Sequence, residues 1–190
     1  MIYLDNAATT RFKPTCMIET MATELKTSSN SGRGGHNDSI DLAIKIFDAR
    51  QTIKSFYHAP DDYPLVFTHN CTDALNLALL GYLRNFSKQK INVVLTANEH
   101  NSVLRPLYYL SQTQPLTLTI VKPQPDGSIS TQSILSAIQP DTRLVCVCHI
   151  SNVTGASSPI ADIGAATKSK GVALLVDTAQ SSGHLPINMP

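Results

Sequence analysis

Four short polar stretches each follow an apolar run in this sequence: HNCTD (69–73), NEHNS (98–102), HISNVTG (149–155) and DTAQ (177–180). They hold His69, Thr72, His100, Asn152, Asp177 and Gln180, groups able to bind an anion, face a flat ring and partner a cation. HNCTD runs directly into a segment of helical apolar spacing. The N–H groups of Cys71 and Thr72, with the Thr72 hydroxyl, would then face outward at the positive end of a helix, a site suited to phosphate. Taken alone, a threonine there is more often an ordinary N-cap. Asp177 follows five apolar residues, VALLV. A partly buried carboxylate needs an internal lysine or arginine, a metal or a ligand cation, or its pKa rises. The His100 ring could stack on a planar ligand or simply be solvated. His36, His69 and His184 read singly as solvated or structurally bonded, and His58 and His149 as structural.

Nucleotide chemistry fits this collection poorly. No GxxxxGK[ST] stretch accompanies the strand-plus-aspartate pattern, and GRGGH (32–36) lacks the lysine and follows no strand. No GxGxxG opens a helix. One ligand would account for the groups together: a planar cationic heterocycle carrying a phosphate, of which pyridoxal 5'-phosphate is an example. An aspartate against its ring nitrogen keeps that nitrogen protonated, so that the ring withdraws electrons from a substrate carbanion.

These groups must be carried by regular elements. Apolar and β-branched runs predict strands at LVFT (65–68), INVVLT (91–96), LTLTIV (116–121), RLVCVCH (143–149) and VALLVD (172–177). Helical spacing predicts helices at 72–86 with Thr72 as N-cap, at 102–112 with Pro106 in or near the first turn, at 131–139 and at 160–171. This alternation indicates βαβ units and a mostly parallel sheet, whose ligands sit beyond the carboxyl ends of the strands. Residues 1–60 read differently, as an N-terminal arm with helices at 12–27 and about 38–57 around a Gly/Ser/Asn-rich loop, beside an α/β region over 61–190.

The composition supports a folded chain: 42% hydrophobic and 15% charged residues over 190 positions. A net charge of +1 gives no electrostatic case for nucleic acid or an anionic membrane. No apolar stretch reaches membrane-spanning length, and MIYLDNAATT has no signal-peptide pattern. Cys16, Cys71, Cys146 and Cys148 form no CxxC pair. Cys146 and Cys148 share one strand face and read as buried small hydrophobes rather than metal ligands. A reducing, cytoplasmic compartment is the expectation.

The segments YLDNAATT (3–10), NSGRGGH (30–36), FTHNCTDALNLALLG (67–81), EHNSVLRPL (99–107), SNVTGASSPIADIG (151–164) and LLVDTAQSSGHLPI (174–187) occur in an order that resembles the class V aminotransferase family. The likeness is greatest to its cysteine desulfurase and selenocysteine lyase-like members. The resemblance implies an α/β fold. It corresponds to the large domain of pyridoxal-phosphate-dependent transferases of fold type I (aspartate aminotransferase-like), a three-layer αβα arrangement, here incomplete. It implies that Cys71 and Thr72 hold the cofactor phosphate and that His100 stacks on the pyridine ring and moves protons. Asp177 would pair with the ring nitrogen and Gln180 with the phenolic oxygen, and Asn152 would lie between that oxygen and the substrate carboxylate. The arm Asn6-Ala7-Ala8-Thr9 would approach the substrate.

The resemblance also implies elements not found in these 190 residues. The family's Schiff-base lysine lies roughly two dozen residues past the position of Asp177, just after a histidine. The lysines here all lie elsewhere, and none follows a histidine. The persulfide-forming cysteine and the substrate-gripping arginine belong to the same later half. The expectation is therefore the N-terminal part of an enzyme that acts on a small amino acid such as cysteine and releases sulfur to an acceptor protein. It would be inactive alone and homodimeric when complete. A non-catalytic cofactor-binding remnant, an interaction module or one half of a split enzyme is the alternative. In the family, later strands flank the first strand of the sheet, so LVFT (65–68) is expected to lack its neighbours.

Overall fold

The computed structural model describes residues 2–189. The chain divides into two compact units, one of residues up to Val66 with those from Pro186 onward, the other Phe67–Leu185.

The Phe67–Leu185 unit is built on a four-stranded sheet of β1 (Ile91–Thr96), β2 (Leu116–Val121), β3 (Thr142–Cys148) and β4 (Ala173–Asp177), in the order β2-β1-β3-β4. All pairings are parallel. Parallel strands require crossover connections, and helices supply them here. The helices are α3 (Cys71–Leu83), α4 (Asn101–Thr113), α5 (Thr131–Ala137) and α6 (Ile160–Ser169), with a 3-10 turn at Arg84–Phe86. Every residue of β1 is buried, as expected of a central strand covered on both faces.

The twofold alternation of strand side chains sorts the core into two layers. Val93 and Leu95 of β1 and Leu144 and Cys146 of β3 pack with Leu75, Leu79 and Leu83 of α3 and Val103 and Leu107 of α4. Val94, Val145 and Val147 face the other way, toward Ile134 of α5 and Ile163 of α6. The result is an αβα sandwich. Leu175 of β4 packs against the α3 layer, so Asp177, two residues on, shares that face. This period puts the carboxylate on the side of the sheet where α3 begins.

Two sequence expectations are corrected. LVFT (65–68) forms no strand; Val66 and Phe67 are exposed. Strand geometry is stabilised by ladder pairing and packed faces, and among the described residues no strand pairs with this segment. Helix α3 begins at Cys71 with Asn70, not Thr72, as N-cap: the extended Asn70 accepts a hydrogen bond from the Asp73 N–H at 2.9 Å. Both residue types cap well, and the side chain two positions earlier reaches the third amide.

The other unit contains α1 (Thr15–Thr27) and α2 (Asn37–Phe56). Helix α1 buries no residue, and Met17, Ile18, Met21 and Leu25 along it are exposed. The buried Lys54 of α2 donates to the Asp61 carbonyl at 2.5 Å.

Candidate functional site

The carboxyl ends of β1, β3 and β4 lead into His100, Asn152, Asp177 and Gln180, whereas His69 and Thr72 lie at the start of α3, which no strand precedes among the described residues. Asp177 closes β4 opposite Cys148 in register and is 5% exposed. Its Oδ1 accepts the Ala179 N–H at 2.9 Å, a local turn that fixes the carboxylate. The same oxygen accepts from the Cys71 thiol at 3.7 Å. The carboxylate is thus aimed at the first residue of α3. Partial burial, then the Asp177 charge, pushes the Cys71 thiol up to about 11, so the sulfur keeps its proton and acts as the donor.

At that helix start, the N–H groups of Cys71 and Thr72 have no acceptor among the described residues, as the first turn of a helix dictates. The Thr72 hydroxyl lies 2.8 Å from Ser102 Oγ, and Ser102 Oγ lies 2.8 Å from His100 Nδ1. His100 is the N-cap of α4, its Nδ1 accepting the Ser102 N–H at 3.1 Å. Pro106 is the sixth residue of that helix, just past its first turn. It has no N–H to give the Ser102 carbonyl four residues earlier. Asn76 of α3 fills the gap, donating to that carbonyl at 3.4 Å and to the Thr72 carbonyl at 2.8 Å. The two helix starts are thereby tied together.

Asn152 lies exposed in a turn after β3. The buried Ser151 sets that turn, its Oγ accepting the Val153 and Thr154 N–H groups at 3.3 Å. Gln180 is half-buried in the turn after β4. Asn6, Ala7 and Ala8 belong to the other unit, where they form an exposed turn whose Asn6 side chain accepts the Arg11 N–H at 3.3 Å. Cys146 and Cys148 are buried on the α3 side of the sheet. Burial, with Glu99 and then Asp177 nearby, pushes Cys148 up to about 12.

Sequence reasoning missed Glu99, Ser102 and Asn76. Glu99 is buried between strand ends: its Oε1 accepts the Thr96 hydroxyl at 2.6 Å and the Cys148 N–H at 2.7 Å. Its Oε2 has no partner among the described residues. Burial dominates over these hydrogen bonds and pushes the acid up to about 7. The available signals were a proline four residues after Ser102 and a charged residue within a strand-to-helix loop.

The model of one family, aminotransferase class V, matches residues 2–190. The chain belongs to that family. A relative from Halalkalibacterium halodurans, described as a probable cysteine desulfurase, is 32% identical over all 190 residues, which cover 47% of its own length. Among solved structures, the apo cysteine desulfurase from Thermococcus onnurineus NA1 superposes with a TM-score of 0.90 at 32% identity over 98% of this chain and 46% of that one. A structure described as SspA in complex with cysteine gives 0.89 at 27% identity, over 98% of this chain and 53% of that one. The chain spans about half the length of the curated relatives it matches. Its α/β layer is part of the fold type I large domain. No helix among the described residues is long and apolar enough to cross a membrane.

Proposed function

We propose that this chain is the cofactor-holding part of a pyridoxal-phosphate-dependent cysteine desulfurase-like enzyme, one that releases sulfur from a small amino acid such as cysteine to an acceptor protein. One observation carries the reading: a buried carboxylate, Asp177, at a strand tip is aimed at the start of the helix that bears Thr72. The chemistry of this donor set fits the group. The Thr72 hydroxyl and the N–H groups of Cys71 and Thr72 would take the phosphate. Asp177 would hold the ring nitrogen and His100 the ring face, and Gln180 would meet the phenolic oxygen. Asn152 would reach between that oxygen and the substrate carboxylate, with Asn6, Ala7 and Ala8 as the substrate arm. When bound, the cofactor supplies an electron sink for a substrate carbanion.

Within that chemistry, Asp177 would keep a proton on the ring nitrogen, and its thiol contact with Cys71 would yield to the stronger charge-assisted bond. His100, its Nδ1 engaged by the Ser102 N–H, carries its single neutral-state proton on Nε2, the atom from which it can donate. Turnover requires a lysine, a sulfur-accepting cysteine and a carboxylate-binding arginine from the remainder of the family's fold, supplied on the same chain or on a second polypeptide. The outer edge of β4, unpaired among the described residues, supports such a completion. The complete enzyme would be a cytoplasmic homodimer; free cysteines, two of them exposed, suit a reducing compartment.

The test is binding of pyridoxine 5'-phosphate, which has no aldehyde to react with surface lysines, followed by ligand fluorescence. Asp177→Asn removes a charge-assisted hydrogen bond of about 1.5–3 kcal/mol, so affinity should fall roughly 10- to 150-fold. Equal affinity in the variant and the parent chain would sink the assignment of Asp177.

A further inference from the structure

We infer that Ser102 is a positioning residue that couples occupancy of the anion site at Thr72 to the hydrogen bonding of the His100 ring. The inference rests on the cofactor reading above and adds to it a residue and a mechanism.

The geometry is a chain of three groups. Ser102 Oγ stands 2.8 Å from Thr72 Oγ1 and 2.8 Å from His100 Nδ1, and Ser102 is 6% exposed. The Ser102 N–H donates to the same Nδ1 at 3.1 Å, so Nδ1 is an acceptor and the neutral ring carries its proton on Nε2. Each hydroxyl has one proton, which leaves two arrangements. In the first, Thr72 donates to Ser102 and Ser102 donates to Nδ1, so that both protons are used inside the protein. In the second, Ser102 donates to Thr72, and the Thr72 proton is free to point at a ligand.

A phosphate oxygen only accepts, so an anion held by the Thr72 hydroxyl takes that proton away from Ser102, and the 2.8 Å Thr72–Ser102 contact stays hydrogen-bonded only in the second arrangement. Occupancy then rotates two hydroxyls and withdraws one of the two donors from Nδ1. No heavy atom moves and no proton changes owner. The frame is rigid enough to keep this linkage in register, because Asn76 ties the Thr72 and Ser102 carbonyls together at the point that Pro106 leaves open. The histidine that faces the ring is thereby informed, through Ser102, that the phosphate is in place.

The test uses the 190-residue chain with 15N-labelled histidine, the His100 signals being assigned by their loss in His100→Gln. Without ligand, Ser102→Ala should move the Nδ1 resonance to higher frequency, since a donor is lost. Saturating pyridoxine 5'-phosphate should move it the same way in the parent chain, beyond the shift caused by stacking. That extra shift should vanish in Ser102→Ala. It should vanish also in Thr72→Val, where the Ser102 proton has only Nδ1 to bond and which keeps the test intact should the serine variant misfold. Ligand that binds and shifts Nδ1 equally in all three proteins overturns the coupling while leaving the cofactor reading standing. Absence of any binding to the parent chain overturns the cofactor reading, and the coupling with it.

Discussion

Replacing Glu99 by glutamine isolates the energetic effect of a buried acid at the site's edge. Glu99 ties the end of β1 to the end of β3 through Oε1, while Oε2 has no partner among the described residues. Burial raises its pKa from the ordinary 4.5 to about 7, against the Thr96 and Cys148 hydrogen bonds, with the Asp177 charge adding to the rise. A raised acid binds its proton more tightly in the folded state. Between pH 4.5 and 7 the folded chain therefore holds more protons than the unfolded one, and stability falls as pH rises through that window. At roughly 1.4 kcal/mol per pH unit, the loss is about 3 kcal/mol, complete above pH 7. Glu99→Gln keeps an acceptor for both donors and carries no charge. Its amide N–H adds a cost of about 1 kcal/mol at every pH, because it replaces an unpartnered oxygen. Urea unfolding followed by circular dichroism at pH 4.5 to 8 should show the variant gaining about 3 kcal/mol on the parent across the series. A difference that stays constant with pH, or one that moves in the parent's favour, would refute the reasoning.

Two further outcomes follow from the same structure. Cys71, pushed up to about 11, should alkylate slowly at pH 8, with on the order of one thiol in a thousand ionised; Asp177→Asn should quicken the reaction, and a rate typical of an unperturbed thiol in the parent would contradict the contact. Leu79 is fully buried between α3 and the sheet, so Leu79→Ala should lower unfolding stability by roughly 2–5 kcal/mol, whereas Leu80→Ala, at an exposed neighbouring position, should cost far less in the same urea titration.

Much of the α/β layer was legible because its strands are compact apolar runs set off by turn residues. INVVLT and LTLTIV match β1 and β2 to the residue, β3 begins and ends one position before RLVCVCH, and β4 starts one position into VALLVD. LVFT has the same composition yet forms no strand, because composition reports the ability to pair and not whether a partner is present. The capping residue was misplaced for a similar reason: Asn70 and Thr72 are both good caps, and only the backbone path selects between them. Asp177 was legible from five apolar residues followed by a charge. Glu99 and Ser102 were not, since a loop gives no period from which burial can be read, and their meaning arises from contacts with β3 and α3.

The residues that would hold a phosphate and a ring are fixed by short-range devices within Phe67–Leu185. Asp177 is held by the amide two residues on, His100 by the helix it caps, and Thr72 by a helix start tied to its neighbour through Asn76. None of these devices depends on the expected substrate arm at Asn6, Ala7 and Ala8, which lies in the other unit. Binding and turnover are therefore separable on physical grounds. On the proposed reading, binding would draw on groups already positioned in the α/β unit, while turnover would need an amine that none of the site residues supplies. Ligand affinity, read through Asp177 and Ser102, is the property that this chain's own geometry should determine.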